Sequence, residues 1–376
     1  MLQEMTRRFA RSEVAPLARE IDREQRFPSE SWTRAAELGL LGVCAPEHLG
    51  GSGLGLTELC IIGEELAAVC VSTAATILHQ ADMVIGRFAR HGTDEQRERF
   101  VPALCDGSAI GCLAITEPEA GSDIMSMRTC AERIDGGYRL NGTKTFITNG
   151  PVADLALVYA KLETPDTKEI GLFIVPDGTP GFVKGRKFEK MGWRGSPTGE
   201  LTFDDCLVPV DALLGDERSG REILMSGLDS ERVVLAAECV GIAQGALDVS
   251  LDYARERRQF GRPIGEFQLI QEKLANMYME VQACRAFTYR TATLIESGEG
   301  EELTALAAAA KLLASEACMR AASAAVQILG GYGYINEFPV ERFMRDAKLM
   351  EIGGGTSEIQ RCIIARALLR RRPVSV

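Results

Sequence analysis

The chain has 376 residues, enough for two or three domains with a sizeable core. Hydrophobic residues make up 46% and charged residues 25%, an ordinary globular balance, and the net charge of −11 argues against a phosphate-binding nucleic-acid surface. The 11 cysteines stand singly without a CxxC, and the three histidines (His48, His79, His91) have no ligand spacing, which argues against a disulfide framework, a metal site and a Ser-His-Asp hydrolase.

Neither an uninterrupted apolar run of about 18 residues nor a cleavable leader stands out, so a cytoplasmic protein without a membrane role is expected. Residues 1–110 read as helices. Apolar residues recur at helical spacing between Arg7 and Leu17, and Ser31 is a candidate N-cap for Trp32 to Leu41. Pro46 to Leu56 is glycine-rich; with no preceding strand and no Lys-Ser/Thr ending, it reads as a connector rather than a phosphate loop. Thr57–Val71, Ala74–Phe88 and a segment opening at Asp94 read as further helices.

From residue 111 to 217 the pattern turns to period-two segments. Asp135-Gly136-Gly137 marks a hairpin between Cys130–Ile134 and Tyr138–Asn141, and strands are expected at Thr145–Thr148, Leu155–Lys161, Gly171–Val175 and Glu200–Phe203. This predicts a small antiparallel β domain. Residues 218–376 then read as a helical bundle, with long helices over Leu228–Arg257, Glu266–Ser297 and Glu302–Leu329, followed by Glu341–Met350 and Ser357–Arg371. The basic cluster Arg366, Arg370, Arg371 and Arg372 reads as a solvated helix end.

One stretch stands apart from this pattern. Leu113 to Asp123 reads LAITEPEAGSD, a short apolar strand breaking into a stiff polar loop that offers N–H and hydroxyl donors towards a ligand. The run resembles the signature loop of the acyl-CoA dehydrogenase family, flavoenzymes that desaturate acyl thioesters. Four more segments resemble that family: YRLNGTKTFITNG (Tyr138 to Gly150), RERRQFGRPIGEFQLIQ (Arg255 to Gln271), QILGGYGY (Gln327 to Tyr334) and DAKLMEIGGGTSEIQR (Asp346 to Arg361). Together they span nearly the whole chain.

The resemblance implies an α+β fold of three parts: an N-terminal α-helical domain, a middle antiparallel β domain and a C-terminal four-helix bundle. It implies FAD, with Leu113, Ile115, Thr116, Ser122, Phe146 and Thr148 near the flavin. Arg257, Phe260, Gln268, Gln327, Gly330 and Gly331 would serve the cofactor of a neighbouring subunit, and Thr356 and Glu358 would add contacts. A guanidinium suits a pyrophosphate through its forked donors. Taken without the resemblance, Arg257 is one basic residue on a solvated helix end.

Desaturation of an acyl thioester needs a base for the α-proton. Many family members carry a Glu just before Gly-Thr in the C-terminal motif, where this chain has Gly354. A smaller group, typified by isovaleryl-CoA and long-chain acyl-CoA dehydrogenases, places the Glu beside an Arg near the start of the first C-terminal helix. Glu231 in Gly227-Leu228-Asp229-Ser230-Glu231-Arg232 takes that role by resemblance. By position alone it reads rather as a first-turn Glu complementing the helix dipole, and the absence of a carboxylate at 354 tips the reading to the base. Asp229, Arg232, Ser122, Gly354 and Gly355 match substrate contacts, and a small residue at 354 suggests room for a branched acyl chain. Glu222, nine residues before Glu231, departs from the members near isovaleryl-CoA dehydrogenase, which have Tyr there. The implied reaction is α,β-desaturation of a short branched acyl-CoA, with electron transfer flavoprotein as acceptor and a homotetrameric assembly. An acyl-carrier-protein substrate, or an oxidase or monooxygenase using oxygen, are the alternatives. The chain also begins a few residues into the family's first helix.

Overall fold

The computed structural model describes residues 1–163, 169–299 and 302–370; Arg371 and Arg372 of the basic cluster lie outside them. Seven α-helices come first: α1 (Leu2–Phe9), α2 (Ala18–Glu24), α3 (Ser29–Glu37), α4 (Leu56–Ala67), α5 (Val71–Leu78), α6 (Gly86–His91) and α7 (Asp94–Cys105). A π-helical segment, His79–Ile85, joins α5 to α6, so the chain runs helically from Val71 to His91 with one widened stretch. The capping box at Thr93 and Gln96 sets the start of α7.

Two local features are settled by hydrogen bonds. Helix α3 starts at Ser29, because the Trp32 N–H already donates to the Pro28 carbonyl; Ser31 therefore lies inside the helix, buried, instead of capping it as expected. The glycine-rich loop is a connector. Its amides are spent on nearby carbonyls, Ser52 on Gly42, Gly53 on Ala45 and Leu54 on Val43. Glu296 reaches across to accept the Leu56 N–H at 2.9 Å, which ties the start of α4 to the C-terminal bundle.

The middle region is one sheet of eight strands: β1 (Gly111–Ala114), β2 (Cys130–Ile134), β3 (Gly137–Thr148), β4 (Leu155–Glu163), β5 (Ile170–Pro176), β6 (Phe182–Lys187), β7 (Thr198–Pro209) and β8 (Leu213–Leu214). The order is β6-β7-β3-β2-β4-β5-β8, with β1 also on β4. Most pairs are antiparallel, as expected, but β1 and β2 each run parallel to β4. The two strands expected at Tyr138–Asn141 and Thr145–Thr148 are one strand, β3. It pairs with β7 through irregularities at Leu140/Gly142 and Lys144/Ile147, which is why its alternation is broken in sequence.

The bundle holds α8 (Gly220–Glu256), α9 (Gln268–Ser297), α10 (Leu303–Leu329), α11 (Val340–Met350) and α12 (Ser357–Leu369), with a short hairpin of β9 (Arg258–Gln259) and β10 (Arg262–Pro263) after α8. Helix α8 begins eight residues earlier than the apolar pattern suggests. Helix α8 and the segment Leu303–Tyr334 are long and apolar enough to cross a membrane; 78% of the apolar window of α8 is buried inside the molecule, as in a core helix.

One core joins the N-terminal helices to the bundle through Leu59, Ile62, Leu66, Val233, Ala237 and Val240. A second lies between the sheet and α6, α7 and the start of α8, with Phe88, Leu104, Leu157, Tyr159 and Leu224. The other face of the sheet buries Tyr138, Leu140, Phe173 and Leu201. Burial on both faces explains why β5 is a continuous apolar run. The second core brings the π segment, β4 and α8 together, and the site is built there.

Candidate active site

The LAITEPEAGSD loop is held by a buried ion pair. Lys144, on β3, is fully buried; its Nζ donates to Glu117 Oε1 at 2.8 Å and to the Ile115 carbonyl at 3.0 Å. Glu117 also accepts the N–H groups of Arg128 and Thr129, and the Thr145 N–H donates to the Thr116 carbonyl at 2.8 Å. The carbonyls of Ile115 and Thr116 are thus spent on framework. Leu113 is buried in β1, and its N–H donates to His79 Nε2 at 3.1 Å. Burial, then the charge of Arg87, pushes His79 down to about 4, so the ring is a neutral acceptor. Leu113 therefore anchors the loop, its own N–H already committed to His79. Ser122 remains exposed at the loop tip.

Phe146 sits at the second irregularity of β3 with φ +59°, a conformation that turns its ring outward: it is 67% exposed and meets Phe188 at 5.5 Å between centroids. Thr148 is half-buried two residues on. The second group lies at the far end of the bundle. Arg257 follows α8, its guanidinium 5.3 Å from the centre of the Tyr332 ring, and lines a cavity of about 490 Å³ with Gln259, Gly330 and Gly331. Phe260 is 93% exposed at φ +52° and packs edge-on to Phe267, while Gln268 and Gln327 lie on α9 and α10. Among the described residues, no hydrogen bond, ion pair or ring contact joins this group to Leu113, Ile115, Thr116, Ser122, Phe146 or Thr148.

Glu231 lies three turns inside α8, not in its first turn. The helix-dipole reading therefore falls away, because the dipole acts over the terminal turn. Burial pushes its carboxyl above the usual range; Arg87 first and then Arg232 pull it down, Asp82 pushes it up, and Lys311 pulls it down. The residue keeps part of its surface exposed. Gly354, at φ +63°, faces it: a Cβ there would stand 3.8 Å from Glu231 Oε1. The same Cβ would come within 2.4 Å of Leu235 Cδ1, so Leu235 already fills much of the room that the glycine was expected to open.

The glycine turn is pinned from behind. Lys311 donates to the Gly355 carbonyl at 2.7 Å, and Gln360 Nε2 donates to the carbonyls of Gly354 and Gly355 at 2.9 and 3.0 Å. Thr356 caps α12 by accepting the Ile359 N–H, and Glu358 is exposed in the first turn, its carboxyl lowered by its own backbone N–H and the Thr356 hydroxyl. Arg232 pairs with Asp229 at 2.6 Å rather than with Glu231, and Asp229 also accepts the Thr304 hydroxyl. Glu222 is exposed; nine residues before Glu231, it projects from the opposite side of the helix. Glu351 is tied to Lys348 at 2.6 Å.

Family models for the N-terminal, middle and C-terminal domains of acyl-CoA dehydrogenases match residues 1–108, 112–206 and 218–369. The chain belongs to the acyl-CoA dehydrogenase family. It is 45% identical to the mitochondrial 2-methylacyl-CoA dehydrogenase of Solanum tuberosum over 373 residues, covering 98% of this chain and 90% of that protein. It is 44% identical to the mitochondrial isovaleryl-CoA dehydrogenase of Oryza sativa subsp. japonica, with the same coverage. Among solved structures, a chain in that of the electron transferring flavoprotein of Acidaminococcus fermentans superposes with a TM-score of 0.95 at 38% identity, covering 99% of this chain and 97% of that one.

Acyl-CoA dehydrogenases are FAD oxidoreductases, and this chain fits the cofactor. The cavity beside Arg257 offers a guanidinium to a phosphate, Gly330 and Gly331 leave open space where a Cβ would stand, and Phe146 presents a bare ring at the sheet. Sequence reasoning missed Glu117, Lys144, Lys311 and Gln360 as framework of the site. A lysine in the alanine- and leucine-rich stretch of α10, Lys311, and one in a strand, Lys144, were signals for two of them.

Proposed function

We propose that the protein removes the α-proton and β-hydride of a short branched acyl-CoA, giving the trans-2-enoyl-CoA, with Glu231 as the base. The observation that carries this is Glu231 itself: a carboxyl three turns inside α8, raised by burial, opposite a residue, Gly354, that has no side chain to do the work. A base in that setting is poised closer to neutral pH than a surface carboxylate. Bound FAD supplies the acceptor for the hydride that leaves Cβ.

The chain's own residues do the rest. Glu231 takes the proton from Cα. The Asp229–Arg232 pair on the same helix offers a fixed charge pattern to the CoA moiety, with Ser122 a second contact. Ile115, Thr116, Ser122, Phe146 and Thr148 would lie along the flavin, while Arg257, Phe260, Gln268, Gln327, Gly330 and Gly331 would hold the cofactor of a neighbouring subunit in a homotetramer. Thr356 and Glu358 would complete the site. The separation of the two groups within one chain supports that sharing. Electron transfer flavoprotein is the proposed acceptor, supported by the A. fermentans neighbour. The names of the potato and rice relatives support a branched acyl group.

The test is anaerobic titration of the yellow protein with isovaleryl-, isobutyryl-, butyryl- and octanoyl-CoA, followed at the flavin band near 450 nm. One branched substrate should bleach it fastest, and Glu231→Gln should slow that bleaching by about 10²–10⁴-fold with the flavin still bound. Full-rate bleaching in Glu231→Gln would remove it as the base. Bleaching by none of the four would remove the short acyl-CoA assignment.

A further inference from the structure

Arg87, at the start of α6, is 1% exposed, and among the described residues it makes no ion pair. Among the described residues its Nη2 donates to Met83 Sδ, a weak acceptor, at 3.7 Å, the Tyr159 hydroxyl stands beside it, and no carboxylate meets its Nε or Nη1. The Tyr159 hydroxyl nearby is neutral and cannot balance the charge. The carboxylate of Asp82 is engaged elsewhere, with Arg90 at 3.5 Å and with the Ser230 hydroxyl. A buried guanidinium left without an anion is costly and calls for an explanation.

Its position supplies one. The guanidinium lies against the backbone of Gly227 on α8, where a Cβ would come within 2.0 Å of Nη2 and 2.3 Å of Cζ. It thus occupies the place a side chain at 227 would take. Residues four apart on a helix are surface neighbours, and helical side chains lean back over the preceding turn. The side chain of Glu231, one turn after Gly227, therefore leans towards the Arg87 charge. The two make no direct ion pair, so Arg87 acts through space as an uncompensated positive charge.

We propose that Arg87, seated on Gly227, is a positioning residue that keeps the Glu231 carboxylate ionised and ready to accept a proton. The inference rests on the reading of Glu231 as the base. Among the described residues, the charged and titratable groups that act on Glu231 come from several elements: Arg87 from α6, Asp82 from the π segment, Arg232 and Glu238 from α8, Lys311 from α10 and Tyr159 from β4. Arg232 is neutralised by Asp229, and Lys311 is spent on the Gly355 carbonyl. Arg87 is the cation left over. Burial already raises the Glu231 carboxyl, and Arg87 is the largest opposing influence, so its removal should raise that carboxyl further.

The experiment is the pH profile of single-turnover flavin reduction by the fastest acyl-CoA, with α-deuterated substrate used to identify the proton-removal limb. In Arg87→Met the acidic limb should move to higher pH, lowering the rate at pH 6 by about tenfold more than at pH 9, because a limb displaced by one pH unit leaves a tenfold smaller ionised fraction on its acid side. Arg87→Lys, which keeps the charge, should restore most of the wild-type limb. If Arg87→Met does not fold, Gly227→Ala, which must displace the guanidinium, should move the limb the same way. An unmoved limb in Arg87→Met or Gly227→Ala, or one that moves equally in Arg87→Lys, overturns the proposal. Glu231→Gln separates the two readings: if it retains the wild-type rate and limb, the base assignment has failed, whereas loss of activity there with an unmoved limb in Arg87→Met sinks the Arg87 role alone.

Discussion

Replacing Lys144 by Met should be among the costliest single changes outside the catalytic machinery. The side chain has no exposed surface, and it loses two bonds, to Glu117 Oε1 at 2.8 Å and to the Ile115 carbonyl at 3.0 Å. Burial opposes the charged form of both partners but with different outcomes. It wins at Lys144, pushed down to about 8, and loses at Glu117, whose carboxyl is pulled below its usual value by the Arg128 N–H, Lys144 and Thr129. Burial and pairing thus oppose each other within the pair, and the penalty lies in stranding one member. Removing one partner of a buried pair costs about 3–5 kcal/mol. Glu117 keeps two N–H donors when Lys144 is gone, which places this case near the lower end, about 3 kcal/mol. Urea unfolding followed by flavin fluorescence measures it, since released FAD is bright. The double variant Lys144→Met/Glu117→Leu, which strands no charge, should recover much of the loss. A cost under about 1 kcal/mol, or a double variant as unstable as the two single changes added together, would refute the argument.

Two further outcomes test other parts of the structure. Burial, against the Trp193 N–H bond at 2.6 Å, pushes Asp346 up from 3.8 to about 6. The folded protein then binds more protons than the unfolded chain between about pH 4 and 6, so the stability this group contributes is present below about pH 4 and lost as pH rises through about 6. The span is about 3 kcal/mol, and Asp346→Asn should remove that part of the pH dependence of Tm; an unchanged Tm profile from about pH 4 to 7 counts against it. Gly354→Glu places a carboxylate where many family members have their base, but at φ +63° and against Leu235. It should cost about 1–2 kcal/mol from backbone strain alone, without raising kcat. Adding Leu235→Ala should recover part of the Tm, and a Gly354→Glu protein as stable as the parent would contradict the geometry.

Much of this protein was decided locally. The hydrophobic periods marked three regions, Asp135-Gly136 marked its hairpin, and the TEPEAGSD and GGGTSEIQR runs marked the family, because turn chemistry and close backbone approach demand particular residues at particular spacings. Glu231 stood out as a candidate base through the resemblance and the missing carboxylate at 354.

What sequence could not supply was the meaning of that glutamate. First-turn dipole partner and buried base are indistinguishable until the start of α8 is known, and that start lies against the sheet, where a Cβ at Gly220 would meet the Ile170 carbonyl. The same holds for Leu235, whose side chain fills the space over Gly354 from elsewhere on α8. It holds for Lys144 and Glu117, 27 residues apart, and for Arg87, which rests on a glycine of a different domain far along the chain. Sequence spacing carries the chemistry a segment can perform. Which charges meet in the low-dielectric interior, and so which way a carboxyl is pushed, is decided only when distant elements come together.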